Sequence, residues 1–351
     1  ATPAFVGEIA ARIDARMQAL LAADAERWMV VDADLGQPLE SLRSFLAAGG
    51  KRLRPVFSFW AFVGLGGDPD DPRIVDAGAA LELLHTFALI HDDIMDGSTR
   101  RHGIDAIHSQ FSRRHRRAGW RGEDRRFGEG VAILVGDLAF VYSDMLLADA
   151  PREAWQVFNQ LRLEVNVGQY LDLLGTARAD ATPALARRIC RYKCAKYTVE
   201  RPLHLGAALA APERLGSLTA PLSRYGLPLG EAFQLRDDIL GTFGDPSVTG
   251  KAVGEDLREG KPTLLYALAR ERAGGAGAQL LAERFGAPDL TADEVVAIQA
   301  VFTAAGARRD VESAIETLVS EALVAADALP LSGDARQALG DLARFVAGRD
   351  Y

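Results

Sequence analysis

The sequence predicts a single all-α domain over residues 1–351, and three observations lead to that prediction. Alanine and leucine dominate, and apolar residues recur at steps of three and four, which is the period of one helix face. Alternating strand patterns are scarce, and glycine, proline and aspartate cluster between the periodic stretches, where helices end. No repeat, linker or change in composition marks a second domain.

The breaks leave helices that are long enough to pack as a bundle. Three of the predicted helices run from Ile74 to Asp96, from Trp155 to Gly175 and from Pro183 to Ala211. Hydrophobic residues make up 48% of the chain and charged residues 25%, which is ordinary for a soluble globular protein.

The composition also restricts the partners and the compartment. A formal net charge of −8 and a pI near 5.4 argue against nucleic acid as the main partner. The two cysteines, Cys190 and Cys194, exclude a disulfide framework, and we interpret them as ordinary buried thiols. The longest apolar stretch, Ala77 to Ile90, is interrupted by Glu82 and His85 and is shorter than the ~20 residues that cross a bilayer. We therefore expect a soluble, cytoplasmic protein with no transmembrane segment.

Two aspartate motifs lie inside apolar, helix-forming runs rather than in solvated loops. The first motif contains Asp92, Asp93 and Asp96, and the second contains Asp237 and Asp238. Residues four apart share a helix face, so Asp92 and Asp96 should present two carboxylates side by side. A few hard oxygen ligands on one face suit Mg²⁺ that is bound jointly with a substrate phosphate. Two such carboxylate faces could bind one diphosphate from both sides, so we predict a site at which a diphosphate substrate is ionised.

A basic cluster precedes the first motif. Two glycines are followed within one turn by Lys51, Arg52 and Arg54, and Pro55 is expected to open a strongly apolar helix. Three cations so close together repel one another unless an anion lies between them, and a helix amino terminus favours the binding of phosphate. We interpret the cluster as a second, metal-free anion site, with a solvated basic turn as the alternative.

In this combination and order, the motifs resemble those of the trans-isoprenyl diphosphate synthases, the polyprenyl synthetase family. The resemblance covers roughly residues 40 to 265. It implies a helical bundle with a central active-site cavity, a homodimer, and head-to-tail condensation of an allylic diphosphate with isopentenyl diphosphate through a Mg²⁺-assisted carbocation. The matching motifs are Gly49–Pro55, His85, Asp92-Asp93-x-x-Asp96, Arg100-Arg101, Gly136-Asp137, Gly168-Gln169-x-x-Asp172, Lys193, Gln234-x-x-Asp237-Asp238, Lys251 and Lys261.

The resemblance implies roles for the matching residues. The metal ligands that bridge the allylic diphosphate would be Asp92, Asp96 and Asp237. Other catalytic groups around that diphosphate would be Asp93, Arg100, Lys193, Gln234, Asp238 and Lys251. Isopentenyl diphosphate would be held without metal by Lys51, Arg54, His85 and Arg101, and further substrate contacts would come from Gln169 and Lys261.

Three positions depart from the family pattern. Gly241 stands where the family usually has a third aspartate, so we expect weakened rather than lost metal binding, with Asp245 four residues further along. His102 stands between the arginine pair and the next glycine, which leaves open which arginine serves which diphosphate. Cys194 stands where the family usually has threonine, and the hydroxyl of Thr198, one turn on, could substitute.

The length of the product depends on where the growing chain stops. The chain should pass down between helices from the first motif, past the small Ala88, towards Phe87, which lies about 7.5 Å down the helix from Asp92. In the family, an aromatic residue at this position suggests geranylgeranyl diphosphate. Phe87 could instead be plain bundle core, so farnesyl and longer diphosphates remain alternatives.

Two other classes of protein are alternatives. A class I terpene cyclase would normally carry a different metal triad in place of residues 234–241, and it would not need Lys51, Arg54 and His85. A non-catalytic subunit of a heteromeric synthase would tend to lose the aspartates, and both pairs are intact here.

Two further segments carry predictions of their own. Residues 113–126 contain seven arginines around Trp120. Because charge runs are usually solvated, we interpret this segment as a solvated loop, with attraction to anionic lipid headgroups as the alternative. The tail from Arg344 to Tyr351 is predicted to close over isopentenyl diphosphate through Arg349.

Overall fold

The computed structural model describes residues 2–178, 181–244 and 254–348, and these are helical nearly throughout, which confirms the all-α prediction. Lys251, Asp245 and Arg349 lie outside the described residues. The first helices are α1 (Ala4–Met29), α2 (Gly36–Ala47), α3 (Leu53–Gly64), α4 (Pro72–Asp96), α5 (Ile107–Ala118), α6 (Asp124–Leu146), α7 (Arg152–Arg178), α8 (Pro183–Ile189) and α9 (Arg201–Ala210). The later helices are α10 (Leu215–Phe243), α11 (Glu255–Glu259), α12 (Leu264–Arg272), α13 (Gly275–Arg284), α14 (Ala292–Ala304), α15 (Ala307–Asp327) and α16 (Gly333–Ala347).

The remaining regular elements are short. The strands β1 (Arg100–Arg101) and β2 (Ile104–Asp105) form an antiparallel hairpin directly after α4. Single 3-10 turns cover Ala33–Leu35 and Pro212–Arg214. A π-helical segment, Cys190–Glu200, joins α8 to α9. One cluster of buried apolar side chains connects helices from α1 to α16, and the prediction of a single domain over residues 1–351 stays a prediction.

Helix α4 has clear start and stop signals, and these place the first aspartate motif at its carboxyl end. The carboxylate of Asp71 accepts a hydrogen bond from the backbone N–H of Arg73, and Pro72 occupies the first helical position. The helix ends at Gly97, which adopts a left-handed conformation with φ of 69°. Asp96 is therefore the last residue of α4, next to the β hairpin.

Helix α4 is also the one helix of the described ranges that has the length and composition of a membrane span. Its most apolar window has a mean hydropathy of 1.3, and 61% of that window is buried inside the bundle. Core helices of soluble proteins share this composition, so its burial accounts for the apolar character of α4.

The basic cluster differs from its prediction in two respects. Helix α3 begins at Leu53, two residues before Pro55, and Arg52 precedes it in a left-handed conformation with φ of 50°. The guanidinium of Arg52 is buried and lies 2.9 Å from both Glu82 and Asp14. The expectation that three cations converge on an anion is therefore wrong for Arg52, which joins α1 to α4 instead.

The predicted helix from 183 to 211 forms, but its centre is π-helical. A Cβ atom on Gly168 of α7 would lie 2.3 Å from the backbone nitrogen of Lys193, and one on Gly230 of α10 would lie 2.5 Å from the Cα of Ala195. Two glycines therefore let α7 and α10 touch the backbone of this segment from different sides. A widened turn of this kind is common at functional sites, and here it carries Lys193.

Candidate active site

Asp92 is surrounded by cations and hydrogen-bond donors from four other elements. Gln169 Nε2 donates to its Oδ1 at 2.8 Å, and Lys193 Nζ lies 3.4 Å from the same oxygen. Arg101 Nη2 lies 3.7 Å from its Oδ2. Burial would raise the pKa of Asp92, but the charges of Lys193, Lys261 and Arg101 outweigh burial and hold that pKa below its usual value. Asp92 is therefore an anion that the protein already neutralises.

Asp93 faces the β hairpin and pairs with Arg101, which also lies near Asp92. Its side chain is 1% exposed, and its Oδ1 accepts hydrogen bonds from Nε and Nη2 of Arg101 at 2.9 and 2.5 Å. Burial raises the pKa of Asp93 to about 6, against the attraction of Arg101. Arg100 is exposed and donates to the carbonyl of Gly103 at 2.7 Å. The structure thus places Arg101 against the first motif and Arg100 on the surface of the hairpin.

Asp96 faces Lys261, which comes from the segment after α11. Lys261 Nζ lies 3.6 Å from Asp96, 2.6 Å from Glu259 and 4.0 Å from Asp256. Burial and the charge of Asp92 raise the pKa of Asp96 to about 6. Burial opposes the charge on Lys261, but its carboxylate neighbours raise the pKa of the ammonium well above its usual value. Lys261 is therefore a permanent cation between the first motif and α11.

The second motif differs in charge from the first. Gln234 Nε2 donates to Asp238 Oδ1 at 2.8 Å. Burial and the nearby Asp256 raise the pKa of Asp238 to about 8, so this carboxyl group is mostly protonated at neutral pH. Asp237 is less buried than Asp238, which makes it the more accessible ligand of the pair.

The missing third aspartate of the second motif has a structural counterpart in Asp256. A Cβ atom on Gly241 would lie 2.1 Å from Asp256 Oδ2, so this carboxylate occupies the space that a side chain at 241 would need. Sequence reasoning missed Asp256 and Glu259. Their signal was available, because they lie five and two residues before Lys261, a residue that matched the family.

A second group of polar side chains surrounds Tyr197, which sequence reasoning also missed. His85 Nδ1 lies 3.1 Å from the hydroxyl of Tyr197, and the guanidinium of Arg54 lies 4.5 Å over its ring. Arg54 Nη2 donates to Thr198 Oγ1 at 3.1 Å. Burial and the charge of Arg54 lower the pKa of His85 well below its usual value, so the imidazole is neutral. Thr198 therefore accepts a hydrogen bond from Arg54. The thiol of Cys194 is partly buried, and burial raises its pKa, so it is neutral.

Lys51 lies between the β hairpin and the last helix. Its ammonium lies 5.0 Å from the ring centre of Phe345 in α16. A Cβ atom on Gly49 would lie 2.3 Å from the ring of His102, so the glycine lets the hairpin approach the basic loop. His102 itself has φ of 48°, and the extra residue after the arginine pair is thus accommodated in the turn of the hairpin.

An aromatic layer lies below the first motif. The ring of Phe87 is 4.6 Å from that of His91 and 4.9 Å from that of Phe140 in α6, while Ala88 beside it is half-buried. A Cβ atom on Gly136 would lie 2.4 Å from His91 Nε2, so α6 packs closely on α4 here. Phe87 therefore joins two helices at the depth where a growing chain is expected to stop.

The carboxylates fit a divalent metal that a substrate helps to hold. Among the described residues, no three His, Cys, Asp or Glu side chains are close enough to form a metal site by themselves. Within the same residues, the buried Oδ2 of Asp96 accepts no hydrogen bond. Mg²⁺ typically takes one or two protein carboxylates and completes its octahedron with phosphate and water. Asp92, Asp96 and Asp237 have the chemistry for that arrangement.

The structure brings most of the predicted site residues together in two groups. Around the aspartates lie Asp92, Asp93, Asp96, Arg101, Gln169, Lys193, Gln234, Asp238 and Lys261. Around Tyr197 lie Arg54 and His85. Arg100 and Phe87 lie apart from these contacts, and Asp172 joins the first group because its Oδ2 is 2.6 Å from Lys193 Nζ. The roles assigned to these residues stay predictions.

Comparisons with known proteins agree with this arrangement. A family model described as polyprenyl synthetase matches residues 37–302. The chain is 32% identical over 324 residues to the short chain isoprenyl diphosphate synthase of Methanothermobacter thermautotrophicus, which covers 89% of this chain and 90% of that protein. It is 29% identical over 327 residues to a (2E,6E)-farnesyl diphosphate synthase of Mycobacterium bovis, with 91% and 85% of the two chains covered.

A solved structure extends the similarity to the whole fold. The geranylgeranyl pyrophosphate synthase of Corynebacterium glutamicum, complexed with isoprenyl diphosphate and magnesium, superimposes with a TM-score of 0.91 at 34% identity. The match covers 97% of this chain and 99% of that one. Because the family model and these relatives span the same motifs that the structure assembles, the chain belongs to the polyprenyl synthetase family and is a trans-isoprenyl diphosphate synthase.

Proposed function

We propose that this prenyltransferase makes geranylgeranyl diphosphate from allylic diphosphates and isopentenyl diphosphate, with Mg²⁺ as its metal. The observation that carries the product length is the aromatic layer of Phe87, His91 and Phe140 below the first motif. Relatives of this chain include both geranylgeranyl and farnesyl synthases, so the family alone gives the reaction but not the length.

The residues around the first motif support ionisation of the allylic diphosphate. When bound by Asp92, Asp96 and Asp237, Mg²⁺ would supply Lewis-acid stabilisation of the leaving diphosphate. Lys193 stays charged because Asp172 and Asp92 raise its pKa against the effect of burial. Its ammonium can therefore stabilise the negative charge that develops on the leaving diphosphate.

The group around Tyr197 supports metal-free binding of isopentenyl diphosphate. Arg54 offers a fixed guanidinium, which suits the planar arrangement of phosphate oxygens. His85 is neutral, so it contributes a hydrogen bond rather than a charge. Lys51 adds a flexible ammonium at the edge of the same region. The released diphosphate would accept the proton that the product loses in the last step.

We also propose that the enzyme is a homodimer. Large apolar side chains line one face of α6 and one face of α7, and they are about half exposed or more. They are Leu134 at 63%, Val141 at 53%, Met145 at 51%, Leu163 at 64%, Val167 at 50% and Tyr170 at 64%. Arg162 of α7 lies 2.7 Å from Asp144 of α6, so the two faces are adjacent. A contiguous apolar surface of this kind is typical of an interface between copies.

The cytoplasm is the compartment that we propose for this enzyme. Both cysteines, Cys190 and Cys194, are free thiols, and burial raises the pKa of each. Unpaired thiols of this kind, one buried and one partly buried, are compatible with a reducing compartment.

A product assay tests the proposed function. The purified chain would be incubated with Mg²⁺, isopentenyl diphosphate and dimethylallyl, geranyl or farnesyl diphosphate, and the dephosphorylated alcohols would be identified by mass spectrometry. We expect a linear twenty-carbon alcohol. A linear alcohol of another length would reject the proposed product, and absence of any alcohol with every substrate would reject the proposed reaction for this chain.

The aromatic layer has its own test. Phe87→Ala should lengthen the product because it opens the space beside His91 and Phe140. Leu89→Ala is the matched control, since Leu89 is half-buried on the same helix but two residues away and on a different face. An unchanged product from Phe87→Ala would remove Phe87 from the explanation of product length.

A further inference from the structure

The segment from residue 113 to residue 126, called here the arginine elbow, concentrates positive charge on an acidic protein. It includes the end of α5, the connecting loop and the start of α6. Its seven arginines against two carboxylates give it a net charge of +5, whereas the whole chain carries −8. The rest of the surface therefore repels an anionic partner, and the elbow is where such a partner would bind.

Within the described ranges, three arginines of the elbow form no ion pair. Arg113, Arg116 and Arg125 lie 2.7 to 2.8 Å from carboxylates. Arg117, Arg121 and Arg126 are exposed, and their guanidinium groups have no hydrogen-bond or ion-pair partner within the described part of the chain. Cations on such a surface are free to meet the phosphates of a ligand.

An apolar loop lies beside the elbow. At the end of α1 and just after it, Met29, Val30 and Val31 are 51%, 87% and 70% exposed. Arg114 of the elbow lies 3.5 Å from Asp34, which follows them before α2, and donates to Gln37 Oε1 at 2.6 Å. The loop and the elbow therefore form one continuous surface, with aliphatic tips on one side and arginines on the other.

Trp120 stands at the turn of the elbow and is 45% exposed. Its ring packs edge-on against Phe127 and His115, and the guanidinium of Arg114 lies 5.4 Å from the ring centre. The indole is thus held in position while nearly half of it faces solvent. Tryptophan in such a position is typical of the boundary between water and lipid.

A concavity on the same surface can accept a headgroup. It has a volume of about 490 Å³, and its lining residues are Asp105, Gln110, Arg113, Arg114, Arg117 and Ala118. Arginine side chains bind phosphate oxygens in a bidentate manner. A phosphate group placed there would contact Arg117, whose guanidinium has no partner among the residues that the structure describes.

We propose that the arginine elbow and the apolar loop together dock the enzyme on an anionic lipid bilayer. Arginines attract the anionic headgroups, while the valines and Trp120 enter the interfacial region. The phosphates of a nucleic acid would pair with the arginines, but a nucleic acid has no apolar region in which exposed aliphatic side chains such as Val30 could be buried. A second copy of the chain is disfavoured because a two-fold contact through this surface would bring two +5 segments into the same interface.

Vesicle sedimentation with the full chain tests this proposal. We expect binding to vesicles of phosphatidylcholine with phosphatidylglycerol, little binding to pure phosphatidylcholine, and weaker binding as salt rises. Arg117→Glu/Arg121→Glu should weaken binding at least about tenfold, given the contribution of each basic residue near such a surface. Val30→Ser/Val31→Ser should weaken it several-fold, roughly in proportion to the apolar area lost.

The controls separate this surface from general charge effects. Arg187→Glu/Arg188→Glu makes the same change of charge at two exposed positions of α8 and should leave vesicle binding unchanged. Equal loss in that variant, or equal binding of the wild type to both kinds of vesicle, would overturn the proposal. So would a lower mass of Val30→Ser/Val31→Ser in analytical ultracentrifugation, because the loop would then be a contact between copies. Tighter binding of duplex DNA than of anionic vesicles at equal salt would also overturn it.

Discussion

The two aspartate motifs face one another across Lys261, yet they are built differently. The first takes Asp92 and Asp96 from one helix, and cations from other elements surround them. The second keeps Asp237 on α10, but the carboxylate that its own helix lacks at Gly241 comes from Asp256 on α11. A carboxylate from another segment of the chain therefore fills the space beside Gly241, and we propose that it takes the place of the third aspartate of the motif.

The motifs also differ in charge. Cations hold the pKa of Asp92 below its usual value, whereas burial and Asp256 raise the pKa of Asp238 to about 8. Asp92 is therefore anionic throughout the neutral range, whereas Asp238 is mostly protonated at neutral pH. We expect the first motif to carry the larger share of metal binding.

The largest effect should come from Asp92. Asp92→Asn removes the carboxylate that contacts Lys193 and Gln169, and we expect turnover to fall by about 10³-fold, as when charge stabilisation of a leaving group is lost. Steady-state kinetics of isopentenyl diphosphate consumption would measure this. Asp149→Asn, at an exposed position after α6, is the control and should retain normal turnover. A loss below about tenfold would show that the second motif contributes more than the first to stabilising the leaving diphosphate.

Restoring the family's third aspartate should harm the enzyme. In Gly241→Asp the new side chain would collide with Asp256 and place two carboxylates together, so we expect turnover to fall by about 10²-fold. The free energy of unfolding should fall by about 1–3 kcal/mol, as in other overpacked sites. Urea denaturation and kinetics would measure the two effects.

The double variant distinguishes collision from a direct effect of the new aspartate. Gly241→Asp/Asp256→Gly removes the obstructing carboxylate and should recover most of the lost stability. If Gly241→Asp alone raised turnover, Asp256 would not be the counterpart of the missing residue.

A smaller effect should follow from Asp256 alone. Asp256→Asn keeps the shape but removes one charge opposite the first motif, and we expect about tenfold lower turnover with a higher Mg²⁺ requirement. Titration of Mn²⁺ binding in the presence of diphosphate gives a readout that does not depend on turnover. Glu255→Gln, the adjacent position of α11, is the matched control. Equal metal affinity in Asp256→Asn and wild type would contradict a role for Asp256 in the second motif.

The smallest effect should come from Cys194→Thr. The residue lies in the π-helical segment near the second motif, and the change exchanges a partly buried thiol for a hydroxyl of similar size. We expect turnover to change by less than about threefold, because the exchange conserves volume. Product formation under saturating substrate would measure turnover. A tenfold rise would show that the cysteine lowers the turnover of the wild-type enzyme.

Features that depend on neighbours in sequence were predictable, and those that depend on tertiary contacts were not. The pairing of Asp92 with Asp96 follows from helix geometry alone. The position of Asp256 against Gly241 depends on where the chain returns after residues 245–253, so no local pattern could give it. Arg52 was misplaced for the same reason, since its partner Glu82 is thirty residues away.

The cations beside the first motif have a consequence for how the protein matures. Lys193, Arg101 and Lys261 already balance the carboxylates that would otherwise repel one another. The chain can therefore complete its folding before it meets a metal ion, and a chelator should silence the enzyme without unfolding it. If the proposed Mg²⁺-dependent reaction holds, metal supply would change activity reversibly while the number of folded molecules stays constant.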